Sequence, residues 1–187
     1  MTEFVPASAK DISASWLKDA LKLAKEPEAL EHNQIGKDYG FASHIFRFGW
    51  QENLQAKSVV IKFWPIKSEK DITEIKFYKT FQPLGIRTPD YLYGAHSSEH
   101  AVLILEDINE AEQGDVLKPL DLLRAKKVAR NLAVLHSKWL QHPLLEQNWL
   151  TRHLTWRSSA NWIQERRKQF LERFPDHLSN QAHLVLL

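Results

Sequence analysis

The chain has 187 residues, of which 43% are hydrophobic and 26% are charged, with a formal net charge of +2 and no cysteine. The lack of cysteine excludes disulfides, thiol catalysis and thiolate metal sites, and it favours a reducing, cytoplasmic location. The net charge is too small to indicate nucleic acid by itself, and we expect no nucleic-acid partner. No apolar run has the length of a signal peptide core or of a membrane span.

The first predicted elements are a helix and a group of strands. Ser13 is a suitable N-cap, and the helix after it carries an apolar stripe that consists of Trp16, Leu17, Ala20, Leu21 and Ala24. Alternating patterns then predict strands around residues 44–50 and 59–64. Both faces of the second strand are apolar, which predicts a central strand buried on both sides and ended by Pro65.

Helical spacing returns over residues 69–82, and two further strand patterns cover 90–95 and 101–106. With the strand that leads into the glycine-bearing turn at Gly36, the order is three strands, a helix and two strands. With short hairpin connections this order predicts a five-stranded antiparallel sheet that carries one main helix, an α+β fold.

The second part of the chain is predicted to be helical. All six glycines lie at or before Gly114, so turns are concentrated in the first part. Apolar spacing predicts helices over 119–141 and 156–174, and a third helix from Asp176 that continues to Leu187.

This pattern divides the chain into three parts. We assign residues 1–108 to a sheet lobe, 109–118 to a linker and 119–187 to an incomplete helical region.

A glycine-bearing turn precedes the strand around 44–50. Gly36 and Gly40 would let the backbone N–H groups approach anionic oxygens such as those of a phosphate chain, and Ser43 could add a hydroxyl donor. Two glycines are also compatible with a plain hairpin that has a long loop.

Lys62 and Glu74 form the second feature. A lysine among apolar residues of a central strand is costly to bury without an anionic partner, and Glu74 follows on the next helix. Such a pair can hold a lysine in place for nucleotide phosphates. Alternatively, Lys62 lies on an edge or extends to water, and Glu74 is a solvated helical residue.

The sequence LILEDI at 103–108 is the third feature, because an apolar strand leads directly into an acidic stretch. In a kinase this is the hinge, where backbone groups bind adenine. Any strand that ends before a loop gives a similar pattern.

Taken in order, these features resemble a known family. The segments GFASHIFRF, SVVIKFWP, EIKFYKTF, RTPDYLYGAH, LILEDI and ARNLAVLHSKW resemble the aminoglycoside phosphotransferase and choline/ecdysteroid kinase-like group over roughly residues 11 to 140. The resemblance implies a protein-kinase-like N-lobe followed by the first C-lobe helices. It also implies ATP with magnesium as cofactors and transfer of phosphate to a hydroxyl of a small molecule.

By matching motif, the resemblance implies that Lys62 contacts the phosphates and that Glu74 pairs with Lys62. The residues that would cover the phosphates are Gly36, Gly40, Phe41, Ala42 and Ser43. The residues that would hold the adenine are Leu105, Glu106, Asp107 and Ile108.

The resemblance ends before the family's catalytic part. A histidine–glycine–aspartate loop and a metal-binding aspartate are missing, and no glycine follows Gly114. Since phosphoryl transfer needs these groups, we expect a truncated chain without catalytic residues or metal ligands, inactive by itself. The acceptor substrate cannot be read from the sequence.

Three alternatives remain open. The chain can be a non-catalytic nucleotide- or partner-binding module on a kinase-like scaffold. The arginine- and tryptophan-rich stretch 149–174 can bind nucleic acid, although amphipathic packing explains the same residues. The tryptophans around 139–162 can form part of a site for a cationic acceptor molecule or part of the core.

We also expect self-association through apolar residues of the C-terminal helices.

Overall fold

A computed structural model describes residues 4–36, 44–109, 118–150 and 160–173. The chain divides into two units, Met1–Trp149 and Leu150–Leu187, which are treated separately. The strands are β1 Glu28–Ile35, β2 His44–Glu52, β3 Gln55–Pro65, β4 Tyr91–His96 and β5 His100–Glu106. The helices are α1 Ala14–Leu21, α2 Thr73–Thr80, α3 Leu122–Trp139 and α4 Ala160–Arg173.

The strands form one antiparallel sheet in the order β1-β2-β3-β5-β4, which confirms the predicted five-stranded α+β architecture. The β2–β3 hairpin turns at Asn53 and Leu54, which have φ values of 50° and 64°. Two consecutive residues with positive φ are the geometry that matches the right-handed twist of a hairpin. This turn fixes the register between β2 and β3.

The prediction that β3 is buried on both sides is only partly correct. β3 is central, and Val59, Ile61 and Phe63 are fully buried, but Val60, Lys62 and Trp64 on the other face are half-buried. The reason is that α2 is too short to cover this face, because its eight residues span about 12 Å and β3 is roughly three times as long. Part of this face therefore stays accessible.

The larger core lies between the sheet and α1. Leu17 of α1 is fully buried there with strand residues that include Phe48, Ile61 and Ile104. The predicted cap is present, since Ser13 Oγ accepts a hydrogen bond of 3.0 Å from Trp16 N. The helix ends earlier than predicted, because Lys22 adopts left-handed backbone geometry with φ 54°, so Ala24 is outside it.

A smaller core lies between the opposite face and α2. Ile75 is buried against Ala101, Leu103 and Leu105 of β5. Gly94 of β4 allows this approach, because a Cβ atom there would lie 2.9 Å from Ile75 Cγ2. The helix predicted over 69–82 is a 3-10 turn, Glu69–Ile72, followed by α2.

The C-terminal end of α3 is attached to the connection between α2 and β4. Trp139 Nε1 donates a hydrogen bond of 3.0 Å to Leu84 O, and the Lys138 ammonium donates to Pro83 O. The Trp139 ring packs on Phe81 with centroids 5.0 Å apart, and Trp149 lies against the same ring at 5.9 Å. These contacts favour the core interpretation for these two tryptophans.

Most of α3 is exposed, and α4 covers residues 160–173 of the predicted 156–174. The helix predicted from Asp176 to Leu187 lies outside the described residues. Among the residues that the structure describes, no helix has the length and apolar character to cross a membrane.

Candidate functional site

The register of the sheet defines which side chains share the face covered by α2, here called the α2 face. Ile45 lies opposite Lys62, and Lys62 lies opposite Leu103. One step along, Arg47, Val60 and Leu105 form the next row. Directly opposed residues of antiparallel strands project to the same face, so these two rows lie side by side on the α2 face.

Lys62 and Glu74 form the predicted ion pair, with 2.5 Å between Nζ and Oε1. β3 directs Lys62 toward α2, and Glu74 precedes Ile75, which anchors α2 on the sheet. The Lys62 side chain is 18% exposed and that of Glu74 is 39% exposed. The ammonium is therefore fixed at the border between the α2 packing and the open part of the face.

Tyr78 lies one helical turn after Glu74. Burial raises the pKa of its phenol, and the negative charge of Glu74 raises it further. The phenol therefore stays neutral at physiological pH, and Lys62 provides the cationic partner of Glu74.

An apolar surface lies beside the lysine. Val60 and Ile45 are half-buried on the α2 face, and Leu103 and Leu105 lie next to them on β5, buried in the core that Ile75 of α2 covers. Two residues along a strand span about 6.8 Å, which is the scale of a planar heterocycle. We call this set of four residues the platform.

Glu106 is the last residue of β5 and directly follows Leu105 of the platform. Its carboxylate accepts two hydrogen bonds from Arg87, at 2.6 and 2.7 Å, and one from Asp90 N at 3.1 Å. The pKa of Glu106 is lowered mainly by the hydrogen bonds from Arg87. The hydrogen bond from the Asp90 backbone lowers it further. The side chain of this predicted hinge residue thus binds the connection before β4, and its backbone N–H donates a hydrogen bond of 2.9 Å to Asp90 O in the same connection.

Asp107 is held from the opposite direction by Arg47. Arg47 Nε lies 2.6 Å from Asp107 Oδ2, and Arg47 Nη2 donates a hydrogen bond of 3.0 Å to Oδ1. The short contact is not aligned as a hydrogen bond, so the Nη2 contact provides the directed one. The Asp107 side chain is 2% exposed and that of Arg47 is 42% exposed.

Asn109 continues the same segment, because its Nδ2 donates a hydrogen bond of 3.1 Å to Ser58 Oγ on β3. We call residues 106–109 the exit segment. The hinge predicted from the sequence comprises residues 105–108, but the partners Arg47 of Asp107 and Arg87 of Glu106 are not identified by it. An acidic pair after a buried strand signals that basic partners are needed, but only the register shows which ones.

The predicted glycine turn is described only at its ends. Gly36 has φ +65°, and Ile35 lies opposite Ile45, so the turn leaves the sheet at the row that contains Lys62. Gly40, Phe41, Ala42 and Ser43 lie outside the described residues.

An open pocket of about 420 Å³ lies near the other end of β2 and β3. Its lining includes Glu31, Gly49, Lys57, Ser58 and Asn109. Ser58 precedes Lys62 by four residues, so the pocket is roughly 13 Å along the strand from the ion pair.

The magnesium that the family resemblance implies would need oxygen ligands, which acidic side chains supply in proteins. Among the described ranges 4–36, 44–109, 118–150 and 160–173, no three histidine or acidic side chains are grouped closely enough to hold a metal ion.

Comparison of the chain with known proteins finds no matching family model and no matching curated protein.

Proposed function

We propose that the chain binds ATP on the α2 face, as the nucleotide-binding lobe of a kinase-like phosphotransferase that acts on a hydroxyl of a small molecule. The observation that carries the proposal is the Lys62–Glu74 ion pair beside the platform. A five-stranded antiparallel sheet with one helix between β3 and β4 is compatible with a kinase-like lobe.

The phosphate end of the proposed site is Lys62. A partly exposed lysine–glutamate pair contributes about 0–1 kcal/mol to stability, so stability alone is a weak reason to place a lysine on this strand. An ammonium has three donors, and Glu74 Oε1 occupies one of them. The remaining donors can bind phosphate oxygens, while Glu74 keeps the ammonium in position.

The base end of the proposed site is the platform and the exit segment. The base would lie on Val60 and Ile45, with its edge toward the backbone of residues 106–108. The carboxylates of Glu106 and Asp107 are already bound by Arg87 and Arg47. The Glu106 N–H and the Asp107 carbonyl are also bonded, to Asp90 O and Asn109 N, so the other backbone groups of residues 106–108 are the partners proposed for the base.

The proposal is limited to binding. Phosphoryl transfer requires a positioned base and metal-binding carboxylates, and the sequence contains neither a histidine–glycine–aspartate motif nor any glycine after Gly114. We therefore expect ATP to bind weakly to this chain and not to be turned over.

Titration calorimetry with ATP tests the proposal. In Lys62→Met the phosphate partner is lost, and we expect ATP affinity to fall about tenfold or more, since a charge-assisted contact is worth about 1.5–3 kcal/mol. Lys57→Met is the matched control, because Lys57 lies on the same strand, is exposed and projects to the other face. Equal ATP affinity in wild type and Lys62→Met would refute the proposed site.

A second candidate is a non-catalytic partner-binding module on the same scaffold. Exposed apolar residues on α3 favour it, since Leu122 is 71% and Val128 is 57% exposed. A heterologous partner that binds regardless of Lys62→Met, with no ATP binding in calorimetry, would favour this candidate.

A further inference from the structure

We infer that Arg47 and Asp107 are positioning residues that fix the exit segment as the base-reading edge of the site, and so determine how much the base adds to nucleotide affinity. The inference rests on the proposed function.

Arg47 lies next to the platform on β2. It shares a row with Val60 and Leu105, yet its guanidinium reaches across β3 to the carboxylate of Asp107, beyond the end of β5. The ion pair therefore borders the platform on the side remote from Lys62. A base that lies on Val60 would have Lys62 toward one end and this ion pair toward the other.

The exit segment is held from both sides of β5. Arg87 holds Glu106 from the β4 side, Arg47 holds Asp107 from the β2 side, and Ser58 binds Asn109. The Arg87–Glu106 pair is largely exposed, whereas the Asp107 side chain is 2% exposed. Exposed pairs contribute little, and a buried carboxylate depends strongly on its partner, so Arg47–Asp107 is the tether that matters most.

Loss of the tether moves the backbone as well as the side chain. Without Arg47, the Asp107 carboxylate is left buried without its counter-charge and is drawn toward water. Residues 106–108 carry the backbone groups proposed to meet the base, so their movement weakens base recognition. Lys62 lies on the neighbouring row and makes its own contact with Glu74, so phosphate binding is unaffected.

The test separates the two ends of the ligand. Dissociation constants for ATP and for inorganic tripolyphosphate are measured with wild type, Arg47→Met, Asp107→Asn, Arg47→Lys and Lys62→Met. For Arg47→Met and Asp107→Asn we expect ATP affinity to fall about tenfold and tripolyphosphate affinity to stay within about twofold. Arg47→Lys keeps the charge and recovers part of the loss, because lysine lacks the bidentate fork. Lys62→Met loses affinity for both ligands.

The control is Lys57→Met, which removes a positive charge from the same sheet and leaves both affinities unchanged. If Arg47→Met does not fold, the near-isosteric Asp107→Asn and the charge-conserving Arg47→Lys decide the outcome. Unchanged ATP affinity in Asp107→Asn, or an equal loss for ATP and tripolyphosphate, overturns the inference and leaves the proposed function standing. A wild-type chain that binds neither ligand overturns both.

Discussion

Asp71 shows at the scale of one residue how the start of α2 is fixed. Its carboxylate accepts hydrogen bonds of 2.7 Å from the N–H groups of Lys67 and Ser68, and its backbone carbonyl accepts one of 2.7 Å from Trp64 Nε1. The hydrogen bond from the Lys67 backbone is the main cause that holds the pKa of Asp71 below its usual value, and the bond from the Ser68 backbone adds to it. Asp71 thus links Trp64 at the end of β3, through its carbonyl, to the turn that leads into Glu74, through its carboxylate.

The lowered pKa gives a pH dependence with a definite sign. Because the folded chain binds this proton less readily than the unfolded chain, Asp71 stabilises the fold above about pH 4, the usual pKa of an aspartate. The contribution is lost as the pH falls through the lower, folded-state pKa. In Asp71→Asn we expect lower stability at pH 7 and a shallower decline in acid, measured by urea unfolding from pH 7 to 3. Asp19→Asn, an exposed carboxyl on α1, is the charge control, and identical pH profiles for wild type and Asp71→Asn would contradict the prediction.

At the same scale, Lys62 and Glu74 could be identified from the sequence, but Arg47 and Arg87 could not. The cost of burying Lys62 among apolar residues is visible in the local pattern, and Glu74 directly precedes the apolar Ile75 on the side of the next predicted helix that would face the sheet. Arg47 meets Asp107 from 60 residues away in sequence, across β3. Which strand lies between them depends on the pairing of β3 with β5, which no local pattern determines.

At the scale of elements, α2 is placed by one close contact with the sheet. A Cβ atom at Gly94 would lie 2.9 Å from Ile75 Cγ2 and 3.1 Å from the Tyr91 hydroxyl. Gly94 therefore sets the distance between α2 and β4, and with it the distance between Glu74 and Lys62.

Gly94→Ala should push α2 away from the sheet. We expect a loss of about 1–3 kcal/mol in unfolding free energy, typical of overpacking, together with weaker ATP binding because Glu74 no longer reaches Lys62. The measurements are chemical unfolding and calorimetry. Gly49→Ala is the matched control, because its Cβ would meet only Lys57 O, at 3.7 Å. If both variants behave alike, Gly94 does not set the position of α2.

The elements themselves were largely predictable, and their limits were less so. Alternation identified β2 and β3, and Ser13 identified the start of α1. The end of α1 depends on the left-handed backbone of Lys22, a residue type with no preference for that geometry. Partial exposure of the α2 face depends on the short length of α2, which becomes apparent only when helix and sheet are packed together.

At the scale of the whole chain, α3 presents an apolar stripe without a matching partner surface within the described part of its own unit, residues 4–36, 44–109 and 118–149. Its C-terminal end is attached through Trp139, but toward its N-terminus Leu122, Val128 and Leu132 are 71%, 57% and 48% exposed. At 100° per residue these three side chains lie on one side of the helix. The self-association expected from the sequence was assigned to residues after Asp176, outside the described part, whereas this stripe lies on α3.

We therefore predict that the chain self-associates at micromolar concentration through this stripe, because each fully buried leucine or valine contributes about 1.5–3 kcal/mol. Leu122→Gln combined with Leu132→Gln should lower the mass measured by light scattering toward that of a monomer. Leu123→Gln with Val134→Gln is the matched control, since these residues are 78% and 46% exposed and lie on the other side of the helix. A wild-type chain that is monomeric at about 50 µM, far above a micromolar Kd, would contradict the prediction.

The sheet has a large core on its α1 face and a small one on its α2 face. These two cores share no buried residue, so α2 can separate from the sheet and open the small core while the large core stays intact. Glu74 belongs to α2, and Lys62 belongs to a strand held by the large core. The Lys62–Glu74 contact can therefore break by a local excursion of α2, at a fraction of the free energy of global unfolding. A ligand that contacts both Lys62 and Glu74 would bind preferentially when α2 is packed on the sheet, and it would make the excursion of α2 rarer. Occupancy of the site would therefore be coupled to the motion of one short helix, while the sheet itself stays in place.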